Sequence, residues 1–194
     1  MGEFDFFKEK KFFTTNELFE RGMTYYKIQK ELESGKITRL TKSTYESNEY
    51  TGDVSDFMYA MAYVPNGVVC SMSAAVYYGL TTYRPHSIDV AIRRSGKVST
   101  LPDWPPLQLH YYQNDRLNTG ITEFEENHQN IRIYDKEKTV IDIICFRNQI
   151  GIEETKEILT NYLKSEGRDL NKLYKYAKKL KCKSVLATYM EVLI

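Results

Sequence analysis

The residues that could carry chemistry are few, and most stand far apart. Asp89 lies in "IDVAIRR" with Arg93 four residues on, and on a strand that spacing puts both side chains on one face. A nuclease-like carboxylate site could begin this way. Two-metal chemistry needs several clustered ligands, however, and no second carboxylate with a lysine follows at strand spacing. Asp89 therefore reads as a strand-edge residue. His86, His110 and His128 lack the close spacing of metal ligands. The ten glycines are scattered, mostly where helices should end, and none builds a phosphate-cradling loop. Asp135 opens "DKEKTVID" as a helix cap, and the alternating charges after it read as surface ion pairs. No catalytic residue, metal ligand or cofactor is expected.

Basic residues give a stronger signal. From Arg21 to Tyr45 six of them (Arg21, Lys27, Lys30, Lys36, Arg39, Lys42) face only Glu31 and Glu33, a net +4. From Lys164 to Lys183 eight face only Glu166 and Asp169, a net +6. Within the second block Lys172, Lys175 and Lys179 stand at helical spacing, opposite an apolar face of Leu170, Leu173, Tyr174, Ala177 and Leu180. A lysine face is usually only solvated, yet a block this one-sided suits an acidic partner such as nucleic acid or an acidic protein surface.

The elements that must position these charges can be read locally. Residues 3–10, "EFDFFKEK", predict a short amphipathic helix with Phe4 and Phe7 on one side. Thr14 with Glu17 forms a capping-box pattern for a first helix; Gly22 breaks it, and Thr24 caps a second helix with Ile28 and Leu32 inward. Gly35 can close that helix at positive φ. A strand, a tight turn near Lys42 and Ser43, and a strand through Tyr45 then predict a hairpin. Three helices followed by a hairpin is the order of a winged helix-turn-helix. On that reading Thr24, Tyr25, Tyr26, Lys27 and Lys30 lie on the recognition helix, with Lys36, Arg39 and Lys42 on or beside the wing, as duplex-DNA contacts.

The turn-rich "SNEYTGDVSD" (47–56) is the expected linker, dividing a winged helix at 1–48 from a C-terminal domain at 54–194. The second part predicts a helix at "VSDFMYAMAYV", a short strand at "VVC", and a helix capped by Ser71 or Ser73 and closed by Gly79. Strands follow at "SIDVAI", "LQLHYY", "GITEF" and "NIRIYD", then helices to the end. The expected class is α+β, with a mixed α/β C-terminal domain that ends in a helical bundle.

Composition sets the outer bounds. The 194 residues carry a net charge of +1 and 42% hydrophobic residues, an ordinary globular balance. The sixteen tyrosines suit either a core or a wet interface. Cys70, Cys145 and Cys182 read as free thiols of a reducing compartment. With no apolar run of membrane-spanning length and no signal-peptide pattern, a cytoplasmic protein without a membrane partner is expected.

Three stretches taken in order carry a family resemblance. "TTNELFERGMTYYKIQKELESGKITRLTKSTY", "SAAVYYGLTTYRPHSIDVAI" and "DKEKTVIDII" are similar to segments of AbiEi-type antitoxins, the antitoxin and repressor half of type IV toxin–antitoxin (abortive infection) pairs. The resemblance implies phage resistance, repression of the protein's own operon by a winged helix on promoter inverted repeats, and a C-terminal domain that supports antitoxin activity. The implied partner is a nucleotidyltransferase-like toxin, opposed without a stable complex. This chain departs from the pattern at Ser43-Thr44, at Tyr78 in place of a common histidine, and at Lys138 in place of the usual arginine. Two other classes fit the residues: a nucleic-acid-processing enzyme that uses the winged helix to position substrate, and a regulator whose second domain senses a ligand.

Overall fold

The computed structural model describes residues 5–193 and is of mixed α+β class. Its contacts divide the chain into two units. The first holds the chain up to Gly67 together with Lys97–Pro106 and Glu123–Ile131; the second holds Val68–Gly96, Leu107–Thr122 and the chain from Arg132 on.

In the first unit a 3-10 turn (Asp5–Lys8) precedes β1 (Phe12–Thr14), α1 (Thr15–Glu20), α2 (Tyr25–Glu33), β2 (Ile37–Arg39), β3 (Thr44–Ser47) and α3 (Asp56–Tyr63). The helix expected over residues 3–10 is thus a four-residue 3-10 turn, and Phe4 falls outside the described residues. The segment after it is a strand, because Phe12 and Phe13 point to opposite sides and both are buried. The β2–β3 hairpin consequently belongs to a three-stranded antiparallel sheet, β1-β3-β2, in which Tyr45 stands between Phe13 and Arg39. Phe7, Phe13, Leu18, Met23, Ile28, Ile37 and Tyr45 form the core beneath it.

Local chemistry sets the helix ends. Thr14 Oγ1 accepts from the Glu17 amide, while the Glu17 carboxylate accepts from the Thr14 amide at 2.7 Å, closing the capping box. Thr24 Oγ1 accepts from the Lys27 amide at the start of α2. That helix closes where Gly35, at φ +76, lets the Lys36 amide reach the Glu31 carbonyl at 3.1 Å. Ser55 caps α3 and also donates to Glu126 at 2.7 Å. Tyr59 of α3 meets the Phe12 ring edge-on and donates to Glu46 at 3.1 Å.

The second unit contains β4 (Val68–Val69), α4 (Ser71–Tyr77), β5 (Ile88–Arg93), β6 (Leu107–Tyr112) and α5 (Asn114–Leu117). After β7 (Ile121–Glu126) and β8 (Gln129–Tyr134) come α6 (Lys136–Cys145), α7 (Arg147–Ile150), α8 (Ile152–Lys164), α9 (Leu170–Lys179) and α10 (Lys183–Leu193). The strands form a sheet of order β6-β5-β4-β8-β7; β4 is antiparallel to β5 and parallel to β8, and β5 is parallel to β6. The outer parts of β7 and β8 are counted with the first unit. Helix α6 has no apolar stripe in the usual sense: Val140, Ile141, Ile143 and Ile144 are all fully buried. A helix buried from Glu137 to Ile144 must be covered on every side, and residues of α4, α8, α9 and α10 share its core cluster.

Two local expectations change here. Neither serine caps α4: its N-terminal flank is Cys70, with no side-chain cap, and Ser71 is the helix's first residue, at a left-handed φ of +50. A carboxylate from the neighbouring strand does the work instead. Asp89 accepts from the Ser73 amide at 3.3 Å, and Ser73 Oγ accepts from the Asp89 amide at 2.9 Å. In α9 only Leu173 and Ala177 of the predicted face are buried; Leu170 and Tyr174 are exposed, and Tyr176 and Leu180 pack inward.

Burial works against the Glu17 charge, but hydrogen bonds from Lys10 and the Thr14 amide outweigh it and hold the carboxyl below its ordinary 4.5. A lowered carboxylate contributes stability above its unfolded value and loses it as pH falls through the folded one. Thr14→Ala should cost about 1 kcal/mol. The melting-temperature gap between wild type and Glu17→Gln should be full above pH 4.5 and close on acidification below it, measured by circular dichroism.

Candidate nucleic-acid interface

In the first unit the sequence-predicted residues form one polar surface on α2 and a second on the hairpin. Ile28 alone among α2 residues is fully buried, and it fixes which face turns outward. Tyr25 and Tyr26 are 69% and 68% exposed, unusual for rings on a packed helix. Each is steadied locally: Tyr25 meets Phe19 edge-on with centroids 4.8 Å apart, and Lys30 Nζ lies 5.0 Å from the Tyr26 ring centre. Thr24 is used as the cap, and Lys27 is half-buried. On the hairpin, exposed Arg39 donates to the buried Tyr45 hydroxyl at 2.9 Å, and its guanidinium lies 5.3 Å from that ring. This holds the arginine stem against the sheet. Lys42 is exposed in the turn. Lys36 is turned back toward Glu31 at 3.5 Å, so part of its charge is answered within the protein.

The second unit treats the predicted lysine strip unequally. Lys175 and Lys179 are exposed, but Lys172 pairs with Asp135 at 3.1 Å and Glu137 at 3.3 Å. Burial lowers the Lys172 pKa, and the two carboxylates more than reverse that, leaving it raised. The cluster extends through Tyr176, which donates to Asp135 at 3.0 Å, and Tyr162, which donates to Glu137 at 3.1 Å. Burial, with the Asp135 charge behind it, pushes the Tyr176 hydroxyl up to about 12. Lys172 thus ties α9 to the start of α6.

The charges read as surface ion pairs in "DKEKTVID" are the largest departure. Asp135 does cap α6, accepting from the Lys138 amide at 2.8 Å. Glu137, Lys138 and Asp142 are nevertheless buried, Lys138 completely. Lys138 donates to one Asp142 oxygen and Arg116 to the other. The Lys138 ammonium also lies 3.9 Å from the Tyr134 ring centre and 5.3 Å from that of Tyr112. Burial lowers the Lys138 pKa, and the Asp142 charge opposes it without restoring the ordinary value. Gly120, at φ +73, makes room for the stem: a Cβ there would stand 2.6 Å from Lys138 Cβ. A signal for this existed in the sequence. Lys138 and Asp142 are four apart on one side of a helix that is otherwise rich in aliphatics, the spacing of a pair that can meet when both are buried.

Asp89 is likewise not at an edge. It sits on β5, second in the sheet, buried, and 2.7 Å from His110 Nε2. Both line a cleft of about 300 Å³ with Ser71, Tyr83 and Glu154. Among the described residues no group of three or more His, Cys, Asp or Glu could hold a metal ion, and no helix is long and apolar enough to cross a membrane. The three cysteines are free. Neither a scan of protein-family models nor a search of curated proteins finds a match to this chain.

The buried network yields an asymmetric expectation. Asp142→Ala strands two cations and should cost about 3–5 kcal/mol in urea unfolding. Lys138→Met keeps the volume and leaves Asp142 paired with Arg116, so it should cost about 1.5 kcal/mol or less. Equal losses in the two variants would mean that Asp142 does not serve both cations.

Proposed function

We propose that this chain binds duplex DNA through its N-terminal elements, read as a winged helix-turn-helix, and acts as the repressor and antitoxin of a type IV toxin–antitoxin pair. The observation that carries the DNA-binding part is the outward face of α2. A capped helix anchored by one buried isoleucine offers two exposed tyrosines and Lys30, beside a hairpin that offers Arg39 and Lys42. Cations of this kind contact phosphates, whereas tyrosine rings on a helix can reach base edges and thymine methyls. The capped α1, the Gly22 turn, α2 and the β2–β3 hairpin support the winged-helix reading; β1 completes the sheet behind it.

The antitoxin part rests on the AbiEi resemblance of the three stretches. It brings with it autoregulation, a non-enzymatic role, a nucleotidyltransferase-like toxin opposed without a stable complex, and a cytoplasmic setting. One observation favours a second reading, a ligand-sensing regulator: the cleft around the paired Asp89 and His110. Rescue of cells from a neighbouring toxin gene separates the two.

Lys30→Ala and Arg39→Ala should each remove about 0.9 from the slope of log affinity against log salt, the share of one phosphate contact on duplex DNA. Replacing Tyr25 or Tyr26 should change sequence preference more than salt dependence. Promoter binding by a Lys30→Ala/Arg39→Ala double variant with wild-type affinity across salt concentrations would reject the assignment.

A further inference from the structure

Two clefts in the second unit adjoin, sharing Arg94, Tyr112, Gln113 and Asp115. One, of about 540 Å³, reaches Arg93; the other, of about 400 Å³, reaches Tyr111, Arg116, Lys179 and Lys181. We propose that together they form a groove for single-stranded nucleic acid, separate from the α2 surface.

Two features point to that ligand. The first is uncompensated charge. Arg93, Arg94, Lys179 and Lys181 are exposed and have no ion pair among the described residues, and Asp115 is the one carboxylate among the residues lining either cleft. Arg116 is already committed to Asp142. Four cations spread over two clefts match successive phosphates rather than a single phosphate group. The second is Tyr111, 54% exposed and lining one cleft with Arg94, Lys179 and Lys181. An exposed ring gains from stacking on a base, and only an unpaired strand offers base faces. Lys179 thereby parts from Lys172: one opens on the groove, while the other is held by Asp135 and Glu137.

The test uses the full chain carrying Lys30→Ala and Arg39→Ala, so that α2 and the hairpin contribute little, and a fluorescein-labelled 12-mer of oligouridylate read by anisotropy. Tyr111→Ala should weaken binding about tenfold and Tyr111→Phe should restore it, because the ring and not the hydroxyl stacks. Lys179→Ala with Lys181→Ala should lower the salt slope by about 1.4, two contacts at the single-strand value. Melting curves establish that each variant is folded; all three positions are exposed, so little change is expected. No binding by the parent, unchanged binding by Tyr111→Ala, or an unchanged slope would overturn the proposal. Displacement of the probe by uridine monophosphate, or by a duplex of equal length, as readily as by unlabelled 12-mer would overturn it too. The result does not depend on the α2 assignment, since that surface is already disabled.

Discussion

Asp142 is the fixed point of the second unit. A carboxylate in a helix whose neighbours are all buried aliphatics is tolerable only if its charge is answered, and here Lys138 and Arg116 answer it from two directions. Lys138 comes from its own helix, one turn back, and Arg116 from α5 beyond the end of β6. The network therefore fixes the rotation of α6, since turning it would carry the Lys138–Asp142 pair away from Arg116 and into hydrocarbon. The helices that cover α6 inherit that orientation. Lys172 adds a second tie at the start of the same helix.

The two units assign their charge differently. In the first, the cations of α2 and the hairpin lie at or near the surface and are held by aromatic rings more than by carboxylates: Lys30 over Tyr26, Arg39 against Tyr45. A ring restrains a cation's direction without cancelling its charge. In the second, several of the cations that look solvated in the sequence are consumed internally. Counting lysines overstates what that unit can offer to a partner, because Lys138 and Lys172 are spent inside it.

What could be read from sequence follows the range of the interaction. Caps, breaks and closures decided within four or five residues, at Thr14, Thr24, Gly22, Gly35 and Asp135, stand where their neighbours imply. The features that could not be read locally depend on a distant partner. The third strand beside the hairpin needs Phe12-Phe13 to find Tyr45, and the cap of α4 comes from Asp89 on another strand. The exposure of Leu170 and Tyr174 on α9 is not legible locally, because spacing alone does not say where an apolar arc is centred. The Lys138–Asp142 pair is the instructive case. Its charges suggest a surface, while the aliphatics beside it, Val140, Ile141, Ile143 and Ile144, point to an interior.

Because one carboxylate answers two cations, positions 116, 138 and 142 are not free to drift separately. A single change at Asp142 leaves two ammonium-type charges inside the protein, while a change at either cation leaves the other pair whole. An evolving sequence therefore has one passable order: a cation is lost first and the carboxylate only later. Related chains should differ at 116 or 138 far more often than at 142.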